Sequence, residues 1–242
     1  MESGVLLDSR THGSPDFAAL HPGYMLHFDS AEHIVMDDRL QKLLQRPDIW
    51  RGEEFNPELL PCHATGFAEL DRHLPGGGWP SGALTEILLP AQGIGELRLL
   101  MPALAQLSQQ GRWLAWISPP YIPYAPALQA WGIDLSRVLL IHPRAAQDSL
   151  WAVEQALRAG TCGAVLAWPS KHDPRQQRRL QLAAETGQCW GVMFHGAHVA
   201  NDHSYAALRL QLNAAPENKI AVRILKRRNG RPVAPFVVGF CN

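Results

Sequence analysis

Four short runs, residues 83–89, 113–117, 163–168 and 189–194, are apolar almost from end to end. A strand with one wet face alternates apolar and polar residues, whereas a strand without a polar face must be covered on both sides. Segments of helical period lie between the runs. Residues 96–110 place Leu97, Leu100, Met101, Leu104 and Leu107 along one side, and 149–159 and 175–186 repeat the pattern. Buried strands alternating with helices predict an α/β fold, a mainly parallel sheet with helices on both faces. The last segments differ. Residues 206–212 and 219–225 alternate, and Asn229-Gly230 is a strong hairpin signal, so the C-terminal strands are predicted to run antiparallel.

The rest of the chain sorts around this core. Residues 1–35 mix Ser, Gly, Pro and His with isolated apolars and carry no period, which predicts a disordered extension. Residues 36–63 read as a short amphipathic helix (Met36, Leu40, Leu43, Leu44), stopped by Pro47, and a linker. Residues 64–242 form the core domain, with a basic hairpin at 219–240. A net charge of zero argues against a whole-molecule polyanion binder. The charge is uneven, however: residues 1–60 hold eleven acidic and five basic side chains, and residues 175–242 hold ten basic and three acidic. Four scattered cysteines without a C-x-x-C predict free thiols in a reducing cytoplasm. No apolar run nears the ~20 residues of a membrane helix, and no secretory leader pattern opens the chain. The eleven histidines show no metal-ligand spacing, so neither a metal nor a cofactor is expected.

Strand 83–89, a Pro/Gly loop and a helical pattern from Glu96 follow the order of a phosphate-binding loop. Such a loop needs G-x-x-x-x-G-K-[ST]: glycines for close backbone approach, Lys for the phosphates and a hydroxyl for Mg²⁺. Here Leu89 or Pro90, depending on where the count begins, stands at the first Gly. Gly93 and Gly95 remain, and Glu96 and Leu97 replace Lys and Ser/Thr. A carboxylate repels a triphosphate, and a leucine cannot hold the metal. The loop therefore reads as a degenerate P-loop.

Upstream stand Thr65-Gly66-Phe67, Leu70-Asp71, Gly76-Gly77-Gly78-Trp79-Pro80, Gly82 and Leu84-Thr85-Glu86-Ile87. This resembles the opening of the RecA-like core, TG-x-x-x-LD…GG-x-P-x-G…EI. The span 50–242 resembles the ImuA family of RecA-like proteins that accompany damage-induced mutagenesis. A shorter portion, roughly 97–195, also resembles the SulA family of division inhibitors. The ImuA resemblance implies a RecA-like fold and a non-catalytic, cytoplasmic SOS-response accessory of translesion synthesis. Its implied partners are ImuB, an error-prone DnaE-type polymerase and RecA. The SulA resemblance implies instead an inhibitor that binds the division protein FtsZ. A degenerate nucleotide- or single-strand-DNA-binding protein is a further reading. RecA-like ATPases also place a water-positioning carboxylate after the second core strand and a Mg²⁺-supporting Asp after a later one. Those positions fall at Ser118-Pro119-Pro120 and Trp168, so no enzyme is expected.

Three stretches remain as contact candidates, one of them the helix expected from Glu96, and the tryptophans Trp79, Trp131, Trp151 and Trp190 are candidates read mostly as core. The hairpin 223–232 carries Arg223, Lys226, Arg227, Arg228 and Arg231 and resembles the K-x-R-x-G-P hairpin of RecA-like ATPases, with Arg231 as an extra residue before the proline. Its charges can serve a protein's acidic surface, nucleic-acid backbone or solvent, and the residues alone leave the three open. Loop 119–126 joins four prolines to Tyr121 and Tyr124, stiff aromatics of the kind that anchor interfaces.

Overall fold

The structure, a computed structural model, describes residues 60–170, 173–228 and 232–240. The chain divides into two units, Met1–Glu54 and Phe55–Asn242, and every described residue belongs to the second. The expectations for 1–35, for the helix in 36–44 and for Asn229-Gly230 and Arg231 lie outside the described residues.

A small ribbon comes first: β1 (Cys62–His63) and β2 (Trp79–Pro80) pair antiparallel around the short helix α1 (Ala68–Asp71). The main chain of strands and helices is β3 (Leu84–Leu89), α2 (Met101–Gln109), β4 (Trp113–Ile117), α3 (Ala125–Ala130), β5 (Val138–Ile141), α4 (Ala146–Arg158), β6 (Cys162–Ala167), α5 (Pro174–Gly187), β7 (Trp190–Gly196), β8 (Leu208–Ala215), β9 (Lys219–Arg227) and β10 (Phe236–Gly239). Strands β3 to β10 form one sheet in the order β10-β9-β8-β3-β7-β6-β4-β5. Pairing is parallel from β8 to β5 and antiparallel from β8 to β10.

The expected class, a RecA-like, helix-rich, mainly parallel sheet with a P-loop, is therefore corrected to a mixed sheet with few helices. Among the described residues only α2, α4 and α5 exceed two turns, and the antiparallel end carries no helix of its own. The physical reason begins at residue 96. Gly95 adopts φ +98°, and residues Glu96–Leu99 wind as a 3₁₀ turn instead of opening a long helix. Helix α2 starts only at Met101, which places Pro102 in its first turn, where a missing N–H costs nothing.

Successive strand residues point to opposite faces, and the apolar runs fill a separate core on each. On one face Leu114, Trp116, Ala164, Leu166, Val192 and Phe194 pack with α2, with Leu128 of α3 and with Ile133 just after it. On the other, Ala115, Ile117, Val165, Ala167 and Met193 pack with Val153 and Leu157 of α4 and Leu180, Ala183 and Ala184 of α5.

The conspicuous upstream motif serves packing. Thr65 donates its N–H to Asp71 (3.0 Å), and its hydroxyl accepts from the Phe67 N–H (3.0 Å). Gly66 lies at φ +83°, and a Cβ there would sit 2.7 Å from Pro102 Cβ, so only glycine fits. Trp79 stacks on Trp190 at 5.3 Å, and Trp190 Nε1 donates to Thr85 Oγ1 (3.0 Å). These contacts seal the N-terminal ends of β3 and β7. Burial pushes the thiols of Cys162 and Cys189 up, which keeps them protonated and unreactive.

His63 lies beside Trp190, with Nε2 buried and unpartnered. Burial, and secondarily Arg112, holds its pKa below the ordinary 6.5. The unfolded chain therefore binds a proton before the folded chain does. The stability this neutral ring contributes is present above pH 6.5 and is lost as pH falls toward the folded value. Urea midpoints are expected to drop between pH 7.5 and 5.5, and to drop less in His63→Gln. Parallel pH curves for the two chains would reject this assignment.

Candidate functional site

The loop after β3 closes on itself. Leu89 is buried, Pro90 to Gly93 run along the surface, and Glu96 folds back so that its Oε1 accepts the Gly93 N–H at 3.1 Å. Glu96 is 6% exposed, and Leu97 packs against the core on the α2 face. A phosphate would need the backbone N–H that this carboxylate already occupies. At the end of β4, Ser118 sits at φ +52°, donates its N–H to the Ile141 carbonyl (2.9 Å) and shares a hydroxyl hydrogen bond with Ser149 (3.0 Å). Past β6, Trp168 lies flat on Phe194 at 4.5 Å. Among the described residues no three metal-ligating side chains converge, and no helix is long and apolar enough to cross a membrane.

The basic hairpin is divided by its register. Opposite β8, β9 bulges at Leu225: Leu210 faces Ile224, but Arg209 faces Lys226. The extra residue turns Lys226 to the face of Arg223 and Lys219, and turns Arg227 to the opposite face. There Arg227 donates to the His73 carbonyl at the end of α1. Lys226 donates to the Ser204 carbonyl (2.7 Å), and burial lowers its pKa, with Arg209 and Arg228 nearby lowering it further against the pull of Glu86. Arg228 reaches Glu185 on α5 at 3.4 Å. Arg223 is exposed. The structure therefore brings Arg223 and Lys226 to one face, gives Arg227 and Arg228 structural partners, and leaves Arg231 outside the described residues.

The aromatic loop is open. Tyr121, Ile122 and Tyr124 are 75%, 79% and 72% exposed. The loop leaves the sheet beside β5, joined to it by the Ser118–Ile141 hydrogen bond. Strand β5 pairs only with β4 among the described residues, so its outer edge is unpaired. Leu139 and Leu140 point to opposite faces and are 41% and 44% exposed, because the sheet ends there. No charge, proline or bulge interrupts the strand, and its guard as an edge is its short length of four residues. Trp151 on α4 is also exposed, whereas Trp79 and Trp190 are buried. Ile122 lies within the candidate loop and Trp151 is one of the four candidate tryptophans, whereas Leu139 and Leu140 are not among the sequence candidates. Apolar residues read as core until strand order is known, and no local signal marks an edge.

A family described as "Cell division inhibitor SulA" matches residues 82–191. A relative of that name from Edwardsiella piscicida is 34% identical over 113 residues, 47% of this chain and 67% of the relative. Another from Pectobacterium atrosepticum is 32% identical over 122 residues, 50% of this chain and 73% of the relative. The crystal structure of SulA from Pseudomonas aeruginosa is 29% identical, covers 46% of this chain and 96% of that one, and has a TM-score of 0.39. These matches overturn the ImuA resemblance and what followed from it: translesion synthesis, the partners ImuB, DnaE-type polymerase and RecA, and DNA contact through the hairpin. The overlapping SulA resemblance is the one the matches carry. The physical source of the error is visible: Thr65, Gly66, Asp71 and Trp79, which suggested ImuA, serve packing and lie before the matched span.

Proposed function

Because the chain belongs to the SulA family of cell division inhibitors, we propose that it arrests division by binding FtsZ in the cytoplasm during the SOS response, without turnover of its own. One observation carries the site: the most exposed large apolar side chains, Tyr121, Ile122 and Tyr124, fall within the family-matched span, beside the open edge of β5. Aromatic side chains on a proline-stiffened loop bury large area at small entropic cost, which suits stoichiometric binding. The loop at 90–96 is closed by its own Glu96–Gly93 hydrogen bond, and in this reading the chain inhibits by occupancy. Residues 64–242 act as one body, preceded by the segments 1–35 and 36–63. Strands β8 to β10 lie beyond the match and complete the sheet, with β8 supplying the second neighbour of β3.

Purified chain titrated into polymerising FtsZ is expected to abolish light scattering near equimolar ratio, with no GTP-independent consumption of nucleotide. Undiminished assembly at a large molar excess would sink the proposal.

A further inference from the structure

Helices α4 and α5 join strands of the parallel part of the sheet, so they run the same way, and they lie side by side on one face. Val153 and Leu157 of α4 and Leu180, Ala183 and Ala184 of α5 face the core. The outward side of a surface helix is ordinarily polar or charged. Trp151 and Leu182 break that rule, at 64% and 54% exposed. Beside Trp151 a cavity of about 310 Å³ opens between the helices, lined also by Leu150 and Leu180. Gln147 and Gln176 line it too, and a side-chain amide offers both the donor and the acceptor that a peptide backbone needs.

The charge beside this pocket is positive. Among the described residues lining it, Glu154 is the only acid, and it is buried. Arg158 donates to its Oε1 at 3.0 Å and Arg179 to its Oε2 at 2.5 Å, so one carboxylate answers two guanidiniums. A guanidinium carries five N–H donors, and the side chains of Arg158 and Arg179 are more than half exposed, which leaves donors facing outward. Arg175, one turn before Arg179 on the same side of α5, is exposed as well.

We propose that the groove between α4 and α5 docks an acidic peptide segment of a partner protein. A large apolar side chain of the segment sits beside Trp151, and its carboxylates meet Arg175 and Arg179. Arginine holds a carboxylate through two parallel hydrogen bonds, and tryptophan with arginine is a common anchor of interfaces. A second copy of this chain is a poor occupant, because a two-fold contact sets these arginines against their own symmetry mates. A nucleic acid brings phosphates but no apolar side chain for the pocket. Helix α3, which opens directly after Tyr124, packs on the other face of the sheet, so the proposal does not rest on FtsZ binding.

Fluorescence anisotropy of the full chain with a labelled peptide of Asp and Glu around a central Leu-Phe pair tests it. Saturable binding at micromolar concentrations is expected, weakening as salt is raised. The same peptide with Gly-Ser in place of Leu-Phe, and a labelled oligothymidylate, are each expected to bind about tenfold more weakly or worse. Trp151→Ala, and Arg175→Gln combined with Arg179→Gln, are each expected to weaken peptide binding about tenfold. Both variants keep the fold, since Trp151 is mostly exposed and Glu154 retains Arg158. Absence of saturable binding, equal binding of the Gly-Ser peptide, equal or tighter binding of the oligothymidylate, or full affinity in either variant would overturn the proposal.

Discussion

Replacing Arg209 with methionine is expected to remove about 3–5 kcal/mol of folding stability, a large part of the roughly 5–15 kcal/mol a domain has. Arg209 is 4% exposed and Glu86, in the middle of β3, is fully buried. Arg209 Nε lies 2.5 Å from Glu86 Oε2. The other guanidinium nitrogens donate to the carbonyls of Val199 (2.6 Å), Ala200 (3.2 Å) and Asp202 (2.7 Å). Glu86 also accepts from Gln177 Nε2, and His195 Nε2 stands 3.7 Å away. Methionine fills much of the volume but leaves a carboxylate in an apolar sheet and three carbonyls without that donor. Glu86→Leu combined with Arg209→Met removes the stranded charge and is expected to recover more than half of the loss. Urea denaturation of the three chains decides it: a single-variant cost below about 1 kcal/mol, the value of a surface pair, would mean the cluster does not hold the sheet.

The second large effect concerns binding. Tyr121→Ala with Tyr124→Ala is expected to weaken FtsZ binding by about 30- to 10³-fold, at about 1–2 kcal/mol per anchoring tyrosine. Both side chains are more than 70% exposed, so folding stability should change by no more than about 0.5 kcal/mol. Arg223→Glu, on β9 beyond the family-matched span, serves as the comparison and is expected to leave affinity within a few-fold. Calorimetry with FtsZ, alongside thermal unfolding of each variant, separates lost contact from lost fold. Full affinity in the double tyrosine variant would move the site off this loop.

What the chain discloses in advance depends on which physical rule is in force. The strand at 113–117 was legible to the residue, because an apolar run of that length, stopped by Gly111 and Pro119, has few other solutions. Strand β6 came within one residue for the same reason. Strand β10 and the β1–β2 ribbon went unread, since four- and two-residue strands carry too little period. The basic hairpin misled through the bulge at Leu225: five cations close in sequence imply one surface, and a single unpaired residue sends Arg227 to the other side. The edge position of β5 is a property of strand order, which Leu139 and Leu140 do not encode locally. Family identity failed at Thr65–Trp79 because residues committed to packing report architecture, and an architecture hosts many functions.

Strand β3 is the earliest strand of the large sheet, and its neighbours are β7 and β8, paired through Leu84 with Gly191 and Thr85 with Leu208. All six of its residues are buried in the finished sheet. At roughly 5–20 residues per second of synthesis, about ten seconds pass between its emergence from the ribosome and that of both its partners. During that interval the nascent chain carries an unpaired, mostly apolar strand that cannot fold, and aggregation competes with completion. The dose of inhibitor a cell obtains is therefore set partly by how well residues 84–89 are shielded during translation, a kinetic quantity that no equilibrium contact records.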